Sequence, residues 1–146
     1  MTRTRILAGA TALFVITFAL IIVAADARQM PAFIKALYAF PAGDKVGHVV
    51  MMGALSLLVN ATIASRGGGQ VRRRMFIATL IITGIVALEE LSQQFFAGRT
   101  MALDDFASSL IGLWFVGFGG VRWWVRRRER DKRLFDEINE AYDAAP

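Results

Sequence analysis

Four long apolar runs, and the charges set between them, decide most of what this chain can fold into. They are residues 6–25 (ILAGATALFVITFALIIVAA), 46–64 (VGHVVMMGALSLLVNATIA), 75–96 (MFIATLIITGIVALEELSQQFF) and 103–121 (LDDFASSLIGLWFVGFGGV). A bilayer core about 30 Å thick takes roughly 20 helical residues to cross, and each run has that length. Barrel strands would be shorter and would alternate in polarity, so helices are the reading. At 146 residues and 55% apolar content the chain sits outside the usual soluble range, as a single domain over 1–146. We therefore expect an all-α integral membrane protein, a bundle of four transmembrane helices. The lack of cysteine removes disulfides, thiolate nucleophiles and Cys-ligated zinc from consideration.

Lys and Arg placement predicts the orientation. Arg3 and Arg5 precede the first run, Arg66, Arg72, Arg73 and Arg74 lie between the second and third, and a dense basic segment from Arg122 to Arg133 follows the fourth. The opposite side holds only Arg28, Lys35, Lys45 and Arg99. The positive-inside rule then places both termini in the cytoplasm. The net charge of +5 follows the membrane topology, so no nucleic-acid partner is inferred. The first run reads as a retained helix; a signal-type cleavage ending at Ala27 would leave three spans in the same orientation.

Two segments outside the runs have their own character. Residues 28–43 (RQMPAFIKALYAFPAG) group Phe33, Ile34, Leu37 and Phe40 on roughly one helical face, with Tyr38 nearby, too short to span; a short outer interfacial helix is expected. The tail 122–146 opens on Trp123 and Trp124, then an arginine cluster, then Leu134, Ile138 and Tyr142 at i, i+4, i+8. It reads as a basic cytoplasmic amphipathic helix against anionic lipid or a cytoplasmic partner. The glycines of SRGGGQVRRR follow no strand and lack phosphate-loop spacing, so they mark a linker.

The polar residues of the runs converge on the outer side. Asp44, Lys45 and His48 open the second run, Glu90 and Gln93 close the third, Arg99 lies in the outer turn, and Asp105 opens the fourth. Asp44 and His48 are four apart, Glu90 and Gln93 three apart, and Asp105, Ser109 and Gly112 form one stripe. Small residues, Gly53, Gly84, Ala107, Ser108, Gly112 and Gly119, are expected to let the helices approach closely. An ionisable group on a spanning helix costs about 2.5–3.5 kcal/mol on insertion scales and so usually faces the bundle interior with a partner. Glu89 and Glu90 point about 100° apart, so only one can enter a given cavity and the other should reach for the interface.

The blocks GDKVGHVVMMGALSLL and EELSQQFFAGRTMALDDFASSLIG resemble the VanZ-like family of small bacterial membrane proteins. The likeness rests on Asp44, Lys45 and His48, on Glu90, Gln93, Phe95 and Arg99, and on Asp105, Ser109 and Gly112, over residues 44–112. It departs at Ser109, where the family often has Asn. What the resemblance implies is a bacterial envelope protein of the cytoplasmic membrane, in a family named for a member associated with teicoplanin resistance. The chemistry is left open by it.

Three uses of the constellation follow from the residue types. As a binding site, Lys45 and Arg99 would hold phosphate or carboxylate of an anionic lipid or glycolipid headgroup, with His48, Gln93 and Ser109 as neutral partners and Asp44 orienting the basic groups. As an enzyme of lipid hydrolysis or group transfer, His48, Glu90 and Asp105 would move protons, although GxSxG and HExxH signatures are absent. As a scaffold, the charges would pair internally and lock the helices. No metal site or cofactor is assigned; one histidine among carboxylates would suit Mg²⁺ or Ca²⁺ better than Zn²⁺.

Overall fold

The computed structural model describes residues 2–27, 29, 31–37, 39–95 and 102–143, and these are helical with no strand among them. The helices are α1 (Thr2–Asp26), α2 (Ala32–Leu37), α3 (Gly43–Arg66), α4 (Val71–Ser92), α5 (Leu103–Ile111) and α6 (Gly120–Asp143). A 3₁₀ turn, Gln93–Phe95, extends α4, and a π-helical segment, Gly112–Gly119, joins α5 to α6 without a break. Three stretches, Arg3–Ala25, Gly43–Arg66 and Val71–Phe95, are long and apolar enough to cross a membrane. The interfacial segment expected before α3 contains α2, whose first turn hangs on the Pro31 carbonyl through the amides of Ile34 and Lys35. Tyr38 of that segment and Arg28 lie outside the described residues.

Helix α3 is the hub, packed on α1, α4, α5, the π segment and α6. Its link to α4 is only Gly67–Gln70, and this brevity forces the two helices to run antiparallel as neighbours. Gly67 and Gly68 take φ of 65° and 84°, values that only glycine adopts without cost, which explains the glycine run in the linker. The tail expected as a helix of its own is instead the continuation of the fourth helical stretch, because nothing between Gly120 and Arg133 breaks it.

The interior is inverted relative to a water-soluble domain. Buried polar side chains (Ser56, Asn60, Thr62, Thr79, Glu90, Gln93, Ser108, Ser109) outnumber the buried large apolar ones (Met52, Met75, Val86, Leu113, Phe118, Val121) among the described residues. Large apolar side chains such as Leu13, Leu20, Ile81, Ile85 and Phe115 lie exposed along the helices. A surface this apolar around a polar interior suits a hydrocarbon surround, where close packing and hydrogen bonds hold helices together. Trp114 joins the two apolar clusters, one around Met52, Val86 and Leu113 and one around Met75, Phe118 and Val121.

Close approach is concentrated where α3 crosses the fourth stretch. A methyl group on Gly112 would collide with the Val49 carbonyl and lie 2.8 Å from the Gly53 nitrogen; one on Gly117 would collide with Ser56 and lie 2.8 Å from the Leu57 nitrogen. Gly53 meets Val116 in turn. The expectation for Gly84 fails: it faces open space, as does the exposed Ala107. Gly119 has only its own helix's Trp114 carbonyl nearby, and Gly117 takes the contact instead. The reason is the π winding. Ser109, Leu113, Gly117 and Val121 are all buried, one every fourth residue, whereas a 3.6-residue helix would drift about 40° per step. The i→i+5 turns take up that drift. The Leu113 carbonyl within this segment also accepts a hydrogen bond from Ser56 Oγ at 2.8 Å.

Candidate functional site

The first turns of α3 and α5 lie side by side, and this brings the charged residues together. Lys45 Nζ stands 2.8 Å from Asp104 Oδ2, 3.1 Å from Asp44 Oδ2 and 3.7 Å from Asp105 Oδ1. Both aspartates of α5 sit in its first turn, where the helix dipole favours negative charge. Three carboxylates around one ammonium make Lys45 the resident cation of this cluster. One helical turn deeper, His48 lies between two groups of α5: Nδ1 is 3.1 Å from Ser109 Oγ, and Nε2 is 3.8 Å from Asp105 Oδ2. Ser109 is only 1% exposed, so its hydroxyl fixes the imidazole and is closed to an incoming carbonyl. The i, i+4 spacing that suggested shared faces on both helices is what produces this ladder.

The end of α4 forms a second group. Glu90, 3% exposed, accepts the Ala102 amide on Oε1 at 2.8 Å and the Gln93 side-chain amide on Oε2 at 3.3 Å. The same Gln93 nitrogen reaches both oxygens of Glu89 at 3.2 Å. Glu90 thus anchors the start of α5, holding the turn that carries Asp104 and Asp105. The neighbouring Glu89 meets Glu90 at this shared amide although their Cα–Cβ bonds point about 100° apart. Arg99 lies outside the described residues.

Between α1 and α3 lies a cavity of about 430 Å³. Its walls are apolar, from Phe18, Ile21 and Ile22 of α1 and Met51 of α3, and one end carries Lys35, Asp44, His48 and Glu89. Of the residues expected at a site, Asp44 and His48 face this cavity. Lys45, Asp105 and Ser109 stand behind them, and Glu90 and Gln93 brace α4 and α5. Lys35 and Glu89 were missed as site residues. Lys35 sits on a segment whose sequence carries no motif, and only the 100° offset of Glu89 from Glu90 could have singled it out. Among the described residues no group of three His, Asp or Glu side chains is arranged to hold a metal ion.

A separate, neutral network lies midway along α3. Asn60 Nδ2 donates to Ser56 Oγ at 3.1 Å and to Thr79 Oγ1 at 3.0 Å, and all three side chains are fully buried. Trp114 Nε1 donates to Thr83 Oγ1 at 3.1 Å. Helix α1 is tied in by Thr11, whose hydroxyl lies 2.9 Å from that of Thr62. Compared with protein-family models, curated proteins and solved structures, the chain matches none.

Proposed function

We propose that this chain is a VanZ-like membrane protein of the bacterial envelope that binds the headgroup of an anionic lipid or glycolipid in an outward-facing cavity. In this reading it is a four-helix transmembrane bundle with both termini in the cytoplasm. The fourth span is drawn from Leu103 into the start of α6, and the bias of Lys and Arg sets the orientation. The observation that carries the proposal is the amphipathic build of the cavity between α1 and α3. Its apolar length along Phe18, Ile21, Ile22 and Met51 suits an acyl or prenyl chain, and its polar end suits a headgroup.

At that end Lys35 and His48 are the groups that would meet a phosphate or carboxylate. Arg99, outside the described residues, is a candidate for a further cation by its place in the sequence. Lys45 is already neutralised by its three aspartates, so its part is to hold Asp44 and Asp105 in place. Asp44 and Glu89 would accept hydrogen bonds from headgroup hydroxyls or amines, a pattern that suits a glycolipid or glycopeptide-type head. The test is mass spectrometry of lipid retained after incubation with an envelope lipid extract. The wild type should keep one lipid class, and His48→Ala, Arg99→Ala and Met51→Trp, which fills the apolar length, should each lose it. Equal retention by all four proteins would sink the reading.

A second reading, a lipid hydrolase or transferase, draws on the placement of His48 between Asp105 and Ser109. There His48 would be the general base or acid and Asp105 its orienting partner, with Glu90 as a reserve proton carrier. A new lipid product formed by the wild type and abolished in His48→Ala would favour it over binding alone.

A further inference from the structure

We infer that the opposite end of the molecule holds a second lipid site, a groove between α3 and α6 that takes the phosphate of an anionic glycerophospholipid. The groove has a volume of about 520 Å³, with Ala64 of α3 on one wall and Trp124, Val125, Arg128 and Lys132 of α6 on the other. Trp124, Arg128 and Lys132 recur every fourth residue and so lie within about 80° of one another on the helix. Their face is turned to α3.

The electrostatics favour an anion. Arg128 lies over the Trp124 ring at 4.7 Å, an arrangement that holds the guanidinium by its face and leaves its N–H edge for a phosphate. Among the described residues, neither Arg128 nor Lys132 has a carboxylate within ion-pair distance. Of the two acids at the groove, Glu129 is already held by Arg72 of α4 at 3.0 Å, which leaves Asp131 against two unpaired cations.

A lipid fits better than a soluble phosphate because the groove pairs its cations with an apolar floor and lies beside the exposed tryptophans of the same helix. Val125 and Ala64 give it an apolar floor. The half-exposed Trp123 and Trp124 mark the boundary at which tryptophan prefers to sit. Basic pockets between helices at the cytoplasmic face are where anionic headgroups lodge. The assignment to the inner leaflet rests on the membrane orientation proposed above. The groove itself is independent of the outer cavity.

The test uses the full-length chain, purified in mild detergent, stripped of lipid and titrated with phosphatidylglycerol or phosphatidylcholine under native mass spectrometry. The wild type should retain phosphatidylglycerol in preference, and Arg128→Ala/Lys132→Ala should weaken it by about tenfold or more, the scale of two basic residues at an anionic headgroup. Arg126→Ala/Arg130→Ala removes the same charge at the same spacing but about 160° away, and should change retention by less than about twofold. Ala64→Phe fills the groove without touching a charge and should also abolish retention. Equal loss in the two double variants would overturn the proposal, since it would mean diffuse attraction to a basic helix. Retention by Ala64→Phe, or displacement of the lipid by glycerophosphate at equal concentration, would overturn it as well. Loss of phosphatidylglycerol here with the outer cavity's lipid still retained would separate the two sites.

Discussion

The polar residues of α3 fall into two regions that solve opposite problems. At its first turn Asp44 and Lys45 are charged, partly open and joined to the aspartates of α5 by ion pairs. Three turns on, Ser56 and Asn60 are neutral and fully buried; Ser56 donates to the Leu113 carbonyl and Asn60 Nδ2 to Ser56 and Thr79, while Asn60 Oδ1 has no partner among the described residues. The difference follows depth. Near the helix end water can share the charges, so ion pairs there contribute little to stability and remain free to rearrange. At mid-helix an ionised group would be too costly, while hydroxyls and amides can be satisfied within the bundle. The first region is suited to function and the second to holding the helices in register.

The largest expected effect breaks the inner region sterically. Gly117→Val pushes a side chain into Ser56 and should destabilise the bundle by about 3 kcal/mol, the upper end for overpacking. Thermal unfolding in detergent measures it, with Gly84→Ala, which faces open space, as the neutral control. Next comes Asn60→Ala. It removes two buried hydrogen bonds, each worth roughly 0.6 kcal/mol in a membrane bundle, and should lower the melting midpoint by a clear few degrees. Ser56→Ala should do less damage than Gly117→Val, since only the bond to the Leu113 carbonyl and one to Asn60 are lost.

Smallest of all should be Lys45→Gln, which leaves the midpoint close to that of the wild type even though it removes three ion pairs. Raising the salt concentration should erase whatever deficit it has, while the deficit of Asn60→Ala should persist, because screening acts on exposed charges alone. A Lys45→Gln chain that unfolds as readily as Asn60→Ala would break the contrast and make the outer cluster a structural lock.

Much of this arrangement was legible before the structure. Apolar runs of spanning length gave the helices, and the four-residue spacings of Asp44 with His48 and of Asp105 with Ser109 gave the two faces that meet. What stayed hidden has physical causes. Glu89 and Glu90 are adjacent, so the sequence cannot say which faces the cavity and which braces Ala102; the packing of α4 decides it. Gly117, and not the Gly119 expected, makes the close contact with α3 in a stretch that winds more widely than a 3.6-residue helix. Asn60 drew no notice, since a single amide in a long apolar run looks incidental until its partners on α4 are known. The charge count also hid how completely Lys45 is shared among aspartates, which in the proposed reading moves the contact with an anion to Lys35 and His48.

The π segment has a bearing on how such a chain tolerates length changes. The wide turns of Gly112–Gly119 set the rotational phase between the two ends of the fourth helical stretch. On one side are Asp105 and Ser109, on the other Trp124 and Arg128, and both sets face α3. Removing one residue from the segment would turn one end against the other by about 90°, so that a chain aligned with α3 at the Lys45 cluster would present the wrong side of α6 at the Trp124 groove. Gly112–Gly119 is therefore the indexing joint of the molecule, where a single-residue insertion or deletion changes which surfaces can work together.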